Sequence, residues 1–324
     1  MCTAITYRTG DFYLGRTLDY DHDFGEEVVL TPRCFPLRFR AGAQVRRHYA
    51  IIGMARVEDG YPLYFDGANE KGLAMAGLNF VGNACYRPAA LGKRNVAQFE
   101  LIPWVLSQCA DVRQARDLLT GANITGEAFR PDLPPAQLHW IIADRESAIT
   151  VEAVAEGLRI HDNTVGVLTN NPPFETQLLR LCEYMNLSPK EPENRFSAGV
   201  RLRPVSRGMG AMGLPGDLSS TSRFARAAFV KMNSVSGSAE AESVSQFFHI
   251  LDSVDQQRGC CEVGDGEYEI TIYTSCCNCD KGIYYYTTYD NRQINGVDMH
   301  RENLNGSELV RHPLIQNQPI PMQN

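Results

Sequence analysis

Met1-Cys2-Thr3-Ala4-Ile5-Thr6-Tyr7, then Arg8-Thr9-Gly10-Asp11, then Phe12-Tyr13-Leu14-Gly15-Arg16-Thr17-Leu18-Asp19: these nineteen residues decide how the rest of the chain is read. Two runs rich in β-branched and aromatic residues flank a polar turn containing glycine, the pattern of a β-hairpin that begins at the amino terminus. Cys2 then sits at a strand end. A methionine in front of a small residue is usually trimmed, so the expected mature chain starts at Cys2 and carries a thiol and a free α-amine on one residue. An α-amine titrates near ~7.7–8.0 and a cysteine near ~8.5, so a proton can pass between them at little cost. The amine can take the thiol proton and later return it to a leaving amine. If the hairpin pairs as written, Arg16 and Asp19 return close to the terminus. There a guanidinium favours the thiolate and a carboxylate can hold the α-ammonium. From these residues alone, an ordinary cysteine at a frayed end, with Arg16 and Asp19 on a solvated face, is an equal reading.

Three further stretches bear on chemistry. In Leu63–Phe80 two strands flank the turn Asn69-Glu70-Lys71-Gly72, and the second ends at Asn79. Val165-Gly166-Val167-Leu168-Thr169-Asn170-Asn171-Pro172 is a strand running into a bend, because a residue before proline is pushed out of the helical region. An Asn amide there can donate to a developing oxyanion, worth about 2.7–4 kcal/mol per donor; a turn asparagine is the plain alternative for Asn79 and Asn170 alike. Gly213-Leu214-Pro215-Gly216-Asp217-Leu218-Ser219-Ser220-Thr221-Ser222-Arg223-Phe224 enters a helix through Ser and Thr caps, which by itself makes Arg223 a first-turn surface residue.

Met-Cys-Thr at the start, Gly15-Arg16-Thr17-Leu18-Asp19, the Asn-Glu-Lys-Gly-Leu and Gly-Leu-Asn-Phe pieces, Thr169-Asn170-x-Pro172, Gly-Leu-Pro-Gly-Asp with Ser-Arg-Phe, and Asp290-Asn291-Arg292-Gln293-Ile294-Asn295 occur in one order over nearly the whole chain. Together they resemble the choloylglycine hydrolase family of N-terminal nucleophile amidases, which contains bile salt hydrolases and penicillin V acylases. The resemblance implies Cys2 as nucleophile and Asn170 as oxyanion-hole donor. It puts Asn79 at the substrate amide with its backbone N–H in the hole, and Arg223 facing Cys2 as a second positive charge beside Arg16. Asp19 would orient the amine. It suggests glycine- or taurine-conjugated bile acids as substrates, no cofactor and no metal, and a homotetramer in a bacterial cytoplasm. Penicillin V acylase or acyl-homoserine lactone acylase activity on the same machinery stays open, as does a catalytically silent ligand-binding protein. An apolar acyl group needs an apolar pocket, for which Leu18, Phe24 and Phe129 are the candidates from sequence.

The rest of the chain fits an α+β domain. The 324 residues, 44% of them hydrophobic, suffice for one large core, and the expected unit is a single domain over 1–324 with a polar tail from 313, disordered or used in oligomer contacts. A net charge of −7 argues against nucleic-acid binding, which calls for a basic patch. Asp11, Asp19, Asp21 and Asp23 interrupt any apolar leader, and no run reaches the ~18 apolar residues of a membrane span. With no export signal the ten cysteines are expected as free thiols. Cys260-Cys261 and Cys276-Cys277-x-Cys279 lack the Cys-x₂₋₄-Cys pairs of structural zinc sites, which favours packing over zinc. Helices are expected near 99–106, 112–119, 175–187, 221–232 and 239–254, a meander of three strands over 138–162, a polar loop over 123–135, and a hairpin over 268–289. His139 and His161 alternate with apolar neighbours and read as sheet residues rather than catalysts. Strands at both ends with helices between permit layering; the α/β/β/α sandwich of two antiparallel sheets is what the family resemblance implies.

Overall fold

The computed structural model describes residues 1–42 and 44–324. In chain order the strands are β1 (Cys2–Arg8), β2 (Phe12–Tyr20), β3 (Glu27–Thr31), β4 (Ile51–Glu58), β5 (Tyr61–Asn69), β6 (Ala74–Asn79) and β7 (Arg94–Ala97). Helices α1 (Leu101–Leu106) and α2 (Val112–Leu119) follow, then β8 (Ala122–Thr125), β9 (Leu138–Ala143), β10 (Ala148–Val154), β11 (Gly157–Asp162) and β12 (Val167–Leu168). Next come α3 (Phe174–Leu181), α4 (Ser220–Asn233) and α5 (Glu240–Asp252). The chain finishes with β13 (Glu262–Gly264), β14 (Glu267–Tyr268), β15 (Ile270–Asn278), β16 (Ile283–Thr288), β17 (Asn291–Asp298) and β18 (Val310–Pro313).

Two antiparallel sheets carry the structure. One has six strands in the order β12-β1-β2-β15-β16-β17, the other eight in the order β11-β10-β9-β6-β5-β4-β3-β18. The period-2 alternation of strand side chains sorts the eight-stranded sheet. Val28, Leu30, Ile52, Met54, Ala74, Ala76, Leu78, Ile141 and Ala143 join the core shared with Cys2, Ala4, Ile5 and Leu14 of the six-stranded sheet. Their neighbours Val29, Ile51, Met75, Trp140 and Ile142 point the other way and pack on Leu101, Ile102, Val105 and Leu106 of α1 and Val112, Ala115 and Leu119 of α2. Phe224, Ala227 and Ala228 of α4 and Phe247, Ile250 and Leu251 of α5 cover the six-stranded sheet. The layers are therefore helix, sheet, sheet, helix, as expected. Because both sheets are covered on both faces, β1 is buried from Cys2 to Tyr7. Each large apolar side chain removed from water contributes ~1.5–3 kcal/mol.

Two glycines admit the close approaches that the site needs. A Cβ on Gly15 would lie 2.0 Å from the carbonyl oxygen of Ser275, so only glycine lets β2 and β15 meet beside Arg16. Gly166 has φ of +63°, and a Cβ there would strike Thr6 Oγ1 at 2.1 Å; this bend delivers β12 alongside β1, with Ala4 opposite Leu168.

Three local expectations are corrected. The polar stretch 123–135 starts inside a strand, since β8 pairs in parallel with β7. The long helix expected over 175–187 ends at Leu181 and passes into a 3₁₀ turn at Cys182–Tyr184. The tail is tied down at its start: β18 adds to the edge strand β3, the Ile315 carbonyl accepts from Asn291 Nδ2, and Gln318 Oε1 accepts from the Arg292 N–H. Strands of four residues carry too little pattern to be read without their partner. All ten cysteines are free thiols, and Cys276, Cys277 and Cys279 pack in the core. Among the described residues no cluster of three or more His, Cys, Asp or Glu side chains is arranged to hold a metal, and no helix is long and apolar enough to cross a membrane.

Candidate active site

The β1–β2 register sets Cys2 opposite Leu18 and Ala4 opposite Arg16. Directly opposed residues share a face of the sheet, so the side chains of Cys2 and Arg16 project together toward the eight-stranded sheet. Arg16 is fully buried and crosses the gap: its Nη1 donates to the Gly77 carbonyl on β6 at 2.6 Å, and its Nε donates to the Thr17 carbonyl at 3.0 Å. Its Nη2 has no protein partner. Burial works against the charge, yet the negative potential of Cys2, Tyr273, Asp66 and Asp19 outweighs it and raises Arg16 above the ordinary arginine value.

Arg223 approaches from the opposite side. The first turn of α4, where the Arg223 N–H bonds the Ser219 carbonyl, points it at the helix-facing side of β1. Its Nη1 donates to the Cys2 carbonyl and to Thr3 Oγ1, both at 2.6 Å. Its Nη2 donates to Asn170 Oδ1 at 2.8 Å, and its Nη1 lies 3.9 Å from Asp19 Oδ2. Burial lowers its pKa, partly offset by Asp19 and Cys2. Far from being a surface residue, Arg223 is fully enclosed. It grips the backbone of Cys2, on the face away from the thiol side.

Asn170 ties these parts together. Its Oδ1 accepts from the Cys2 N–H at 2.8 Å, and its Nδ2 donates to the Asn79 carbonyl at 2.7 Å. Its own N–H donates to Ser220 Oγ at 2.9 Å. One N–H of its amide is thus already engaged, and one remains. Along an antiparallel strand successive residues bond to alternate sides. Phe80 N–H bonds the Gln137 carbonyl on the β9 side, so Asn79 turns its N–H the other way, the side on which Gly77 and Asn79 carbonyls meet Arg16 and Asn170. Asn171 points elsewhere, its Nδ2 donating to the Val81 carbonyl.

Asp19 is fully buried, accepting from Thr271 Oγ1 at 2.7 Å and Thr17 Oγ1 at 3.1 Å. With Met1 in place, the terminal ammonium donates to the Asp19 carbonyl oxygen at 2.5 Å and pairs with the Glu269 carboxylate. Burial lowers the pKa of that ammonium, with Cys2 and Asp19 pulling upward and Arg223 and Arg16 downward.

The sequence reading missed the layer behind Arg16. Asp66 is fully buried; it accepts from Tyr273 Oη at 2.7 Å, Tyr284 Oη at 2.6 Å and Ser275 Oγ at 3.3 Å. Burial raises its carboxyl pKa, against the pull of Arg16 and these donors. An Asp inside the strand Tyr64-Phe65-Asp66-Gly67 was the available signal. The guessed pocket residues fall into separate contacts. Leu18 stands opposite Cys2, Phe24 packs on Tyr20 and Phe65, and Phe129 packs on Tyr61 and Phe99 under the Arg40 guanidinium.

A buried cysteine flanked by two guanidiniums, with amide donors from two strands beside it, suits nucleophilic attack on a carbonyl. The family model described as linear amide C–N hydrolases, choloylglycine hydrolase family, matches residues 2–312. The chain belongs to the choloylglycine hydrolase family. It is 54% identical over 314 residues to the "Bile salt hydrolase/transferase" of Lactiplantibacillus plantarum, covering 97% of each chain. A crystal structure of the conjugated bile acid hydrolase from Clostridium perfringens superposes with a TM-score of 0.92 over 100% of both chains at 35% identity. Penicillin V acylase from Agrobacterium tumefaciens, at 20% identity, a TM-score of 0.75 and coverage of 98% of this chain and 93% of that one, shares the fold.

Proposed function

We propose that the chain is a bile salt hydrolase that cleaves the amide bond of glycine- or taurine-conjugated bile acids through Cys2. The observation that carries the reading is the 54% identity to a bile salt hydrolase/transferase across 97% of both chains; it is supported by Arg223 and Asn170 bonding the Cys2 backbone, Arg16 sharing the thiol's face and Asn79 bonding Asn170.

In the proposed mechanism Met1 is removed and the nitrogen that now bonds Asn170 Oδ1 becomes the free α-amine of Cys2. The amine takes the thiol proton, and the thiolate, on the same sheet face as the Arg16 guanidinium, attacks the amide carbonyl. The Asn79 N–H and the remaining N–H of Asn170 Nδ2 stabilise the tetrahedral oxyanion. The ammonium returns the proton to the leaving nitrogen, the C–N bond breaks, and glycine or taurine departs from a Cys2 thioester. Water, deprotonated by the same amine, attacks the thioester to release the bile acid and regenerate the thiol. Asp19, held by Thr17 and Thr271, places its carboxyl group near the terminus. The word "transferase" in the relative's name supports a second outcome, in which an amine replaces water at the thioester and a new amide forms.

The rest of the reading is one domain spanning the chain, supported by the core that both sheets share, and a homotetramer in a bacterial cytoplasm. Exposed apolar side chains at Phe196, Val200, Leu202 and Val205 favour self-association, and the bile salt hydrolase/transferases that the chain resembles come from bacteria. The test is ninhydrin detection of glycine and taurine released from conjugated bile salts, with penicillin V as the competing substrate. Preferential release from the bile salts is expected; turnover of penicillin V alone would replace the reading with an acylase.

A further inference from the structure

His139, on β9, is fully buried, as is Glu152 on β10. Its Nε2 lies 2.7 Å from the Thr169 carbonyl oxygen, which can only accept, so Nε2 carries a hydrogen. Its Nδ1 lies 3.0 Å from Glu152 Oε1, an oxygen that also accepts the Phe174 N–H at 3.0 Å. The imidazole is thus clamped between the Thr169 carbonyl and the Glu152 carboxyl group. The other titratable groups around the pair are His161, whose Nε2 is 3.7 Å from Glu152 Oε2, and Glu175, 3.5 Å from His161 Nδ1.

The position of this clamp gives it a purpose. Thr169, which His139 holds, precedes Asn170. Phe80, whose ring stacks on His139 at 4.2 Å and 7°, follows Asn79. The two asparagines are themselves joined by the 2.7 Å bond from Asn170 Nδ2 to the Asn79 carbonyl. One imidazole thus braces the chain next to both groups that the proposed mechanism uses as oxyanion donors.

We propose that His139, held between Glu152 and the Thr169 carbonyl, is a positioning residue that fixes the spacing of Asn79 and Asn170 for the tetrahedral oxyanion. The inference rests on the hydrolase reading above. An oxyanion hole loses much of its effect when its donors shift by a fraction of an ångström, whereas alkylation of Cys2 by iodoacetamide passes through no oxyanion and is blind to that shift.

The experiment compares wild type with His139→Gln and, as a milder variant that keeps an acceptor for the Phe174 N–H, Glu152→Gln. Positioning predicts that kcat for glycine release from a conjugated bile salt falls ~10- to 100-fold, with KM and the Cys2 alkylation rate each within about twofold. Unchanged turnover in both variants overturns the proposal, and so does a parallel fall of turnover and alkylation, which a merely structural role produces. Nitrogen-15 NMR of the wild-type histidines at neutral pH is the second arm. A hydrogen on Nε2 of His139 is expected, and an Nε2 without one overturns the clamp. That arm reads the same whether or not wild type turns over bile salts, so a failed hydrolase reading, seen as no wild-type release, stays distinct from a failed clamp.

Discussion

Arg16 and Arg223 are both fully buried and both flank β1, the strand of Cys2, yet they do opposite work. Arg16 lies on the thiol face, among Asp66, Tyr273 and Cys2, and keeps one nitrogen free of any protein partner. Arg223 lies on the helix face and is taken up by the Cys2 carbonyl, Thr3, Leu218 and Asn170. The potentials around them differ accordingly: Arg16 is pushed up in pKa and Arg223 down. A guanidinium surrounded by negative potential with a donor to spare can act on what enters the site. One whose donors are used by the backbone holds the frame.

The comparison breaks first at Arg16. Arg16→Met should lower kcat by roughly 10²–10³, the cost of losing a charged donor at the reacting centre, and slow Cys2 alkylation at neutral pH because the thiolate loses its neighbouring cation; steady-state kinetics and iodoacetamide rates measure both. Arg223→Met should act mainly on stability. It leaves the Cys2 carbonyl without its side-chain donor, Asn170 Oδ1 with the Cys2 N–H alone and buried Asp19 without its cation, and urea unfolding should show a loss of about 3–5 kcal/mol. If Arg223→Met spared stability and Arg16→Met spared turnover, the two roles would have to be exchanged.

Asp66→Asn sharpens the contrast. The Asp66 carboxyl pKa is raised in the folded protein, so the native state holds its proton more tightly than the unfolded chain does. Its contribution to stability is full below the unfolded value near ~4 and is lost as pH rises through the folded pKa. The variant should lack that decline, which unfolding curves across mildly acidic pH would reveal as a flatter slope. The smallest effect belongs to an arginine at the surface. Arg116, paired with Asp162 in solvent, should change stability by no more than about 1 kcal/mol as Arg116→Met, with turnover untouched.

The hairpin around Cys2 was legible because its signals are local: a polar turn with glycine between two β-rich runs. Asn79 and Asn170 were legible as strand ends, though the bond between them, across 91 residues, was not. Asp66 draws its partners from β2, β15 and β16, so no window of sequence contains the cluster. His139 was read correctly as a sheet residue, since alternation reports only which face a side chain takes; that its ring would meet Thr169 and Phe80 depends on how β9 and β12 come together. The strands β8 and β18 were missed for a related reason, being defined by the neighbour they pair with.

The central claim is that Cys2 carries the acyl group. The direct measurement is acid-quenched mass spectrometry of the processed protein during turnover of a conjugated bile salt, followed by peptide mapping. The account predicts a terminal peptide beginning at Cys2 whose mass is increased by the bile acyl group, and no such adduct or amino-acid release from Cys2→Ala. Acyl transfer to another residue, or undiminished release from Cys2→Ala, would contradict it.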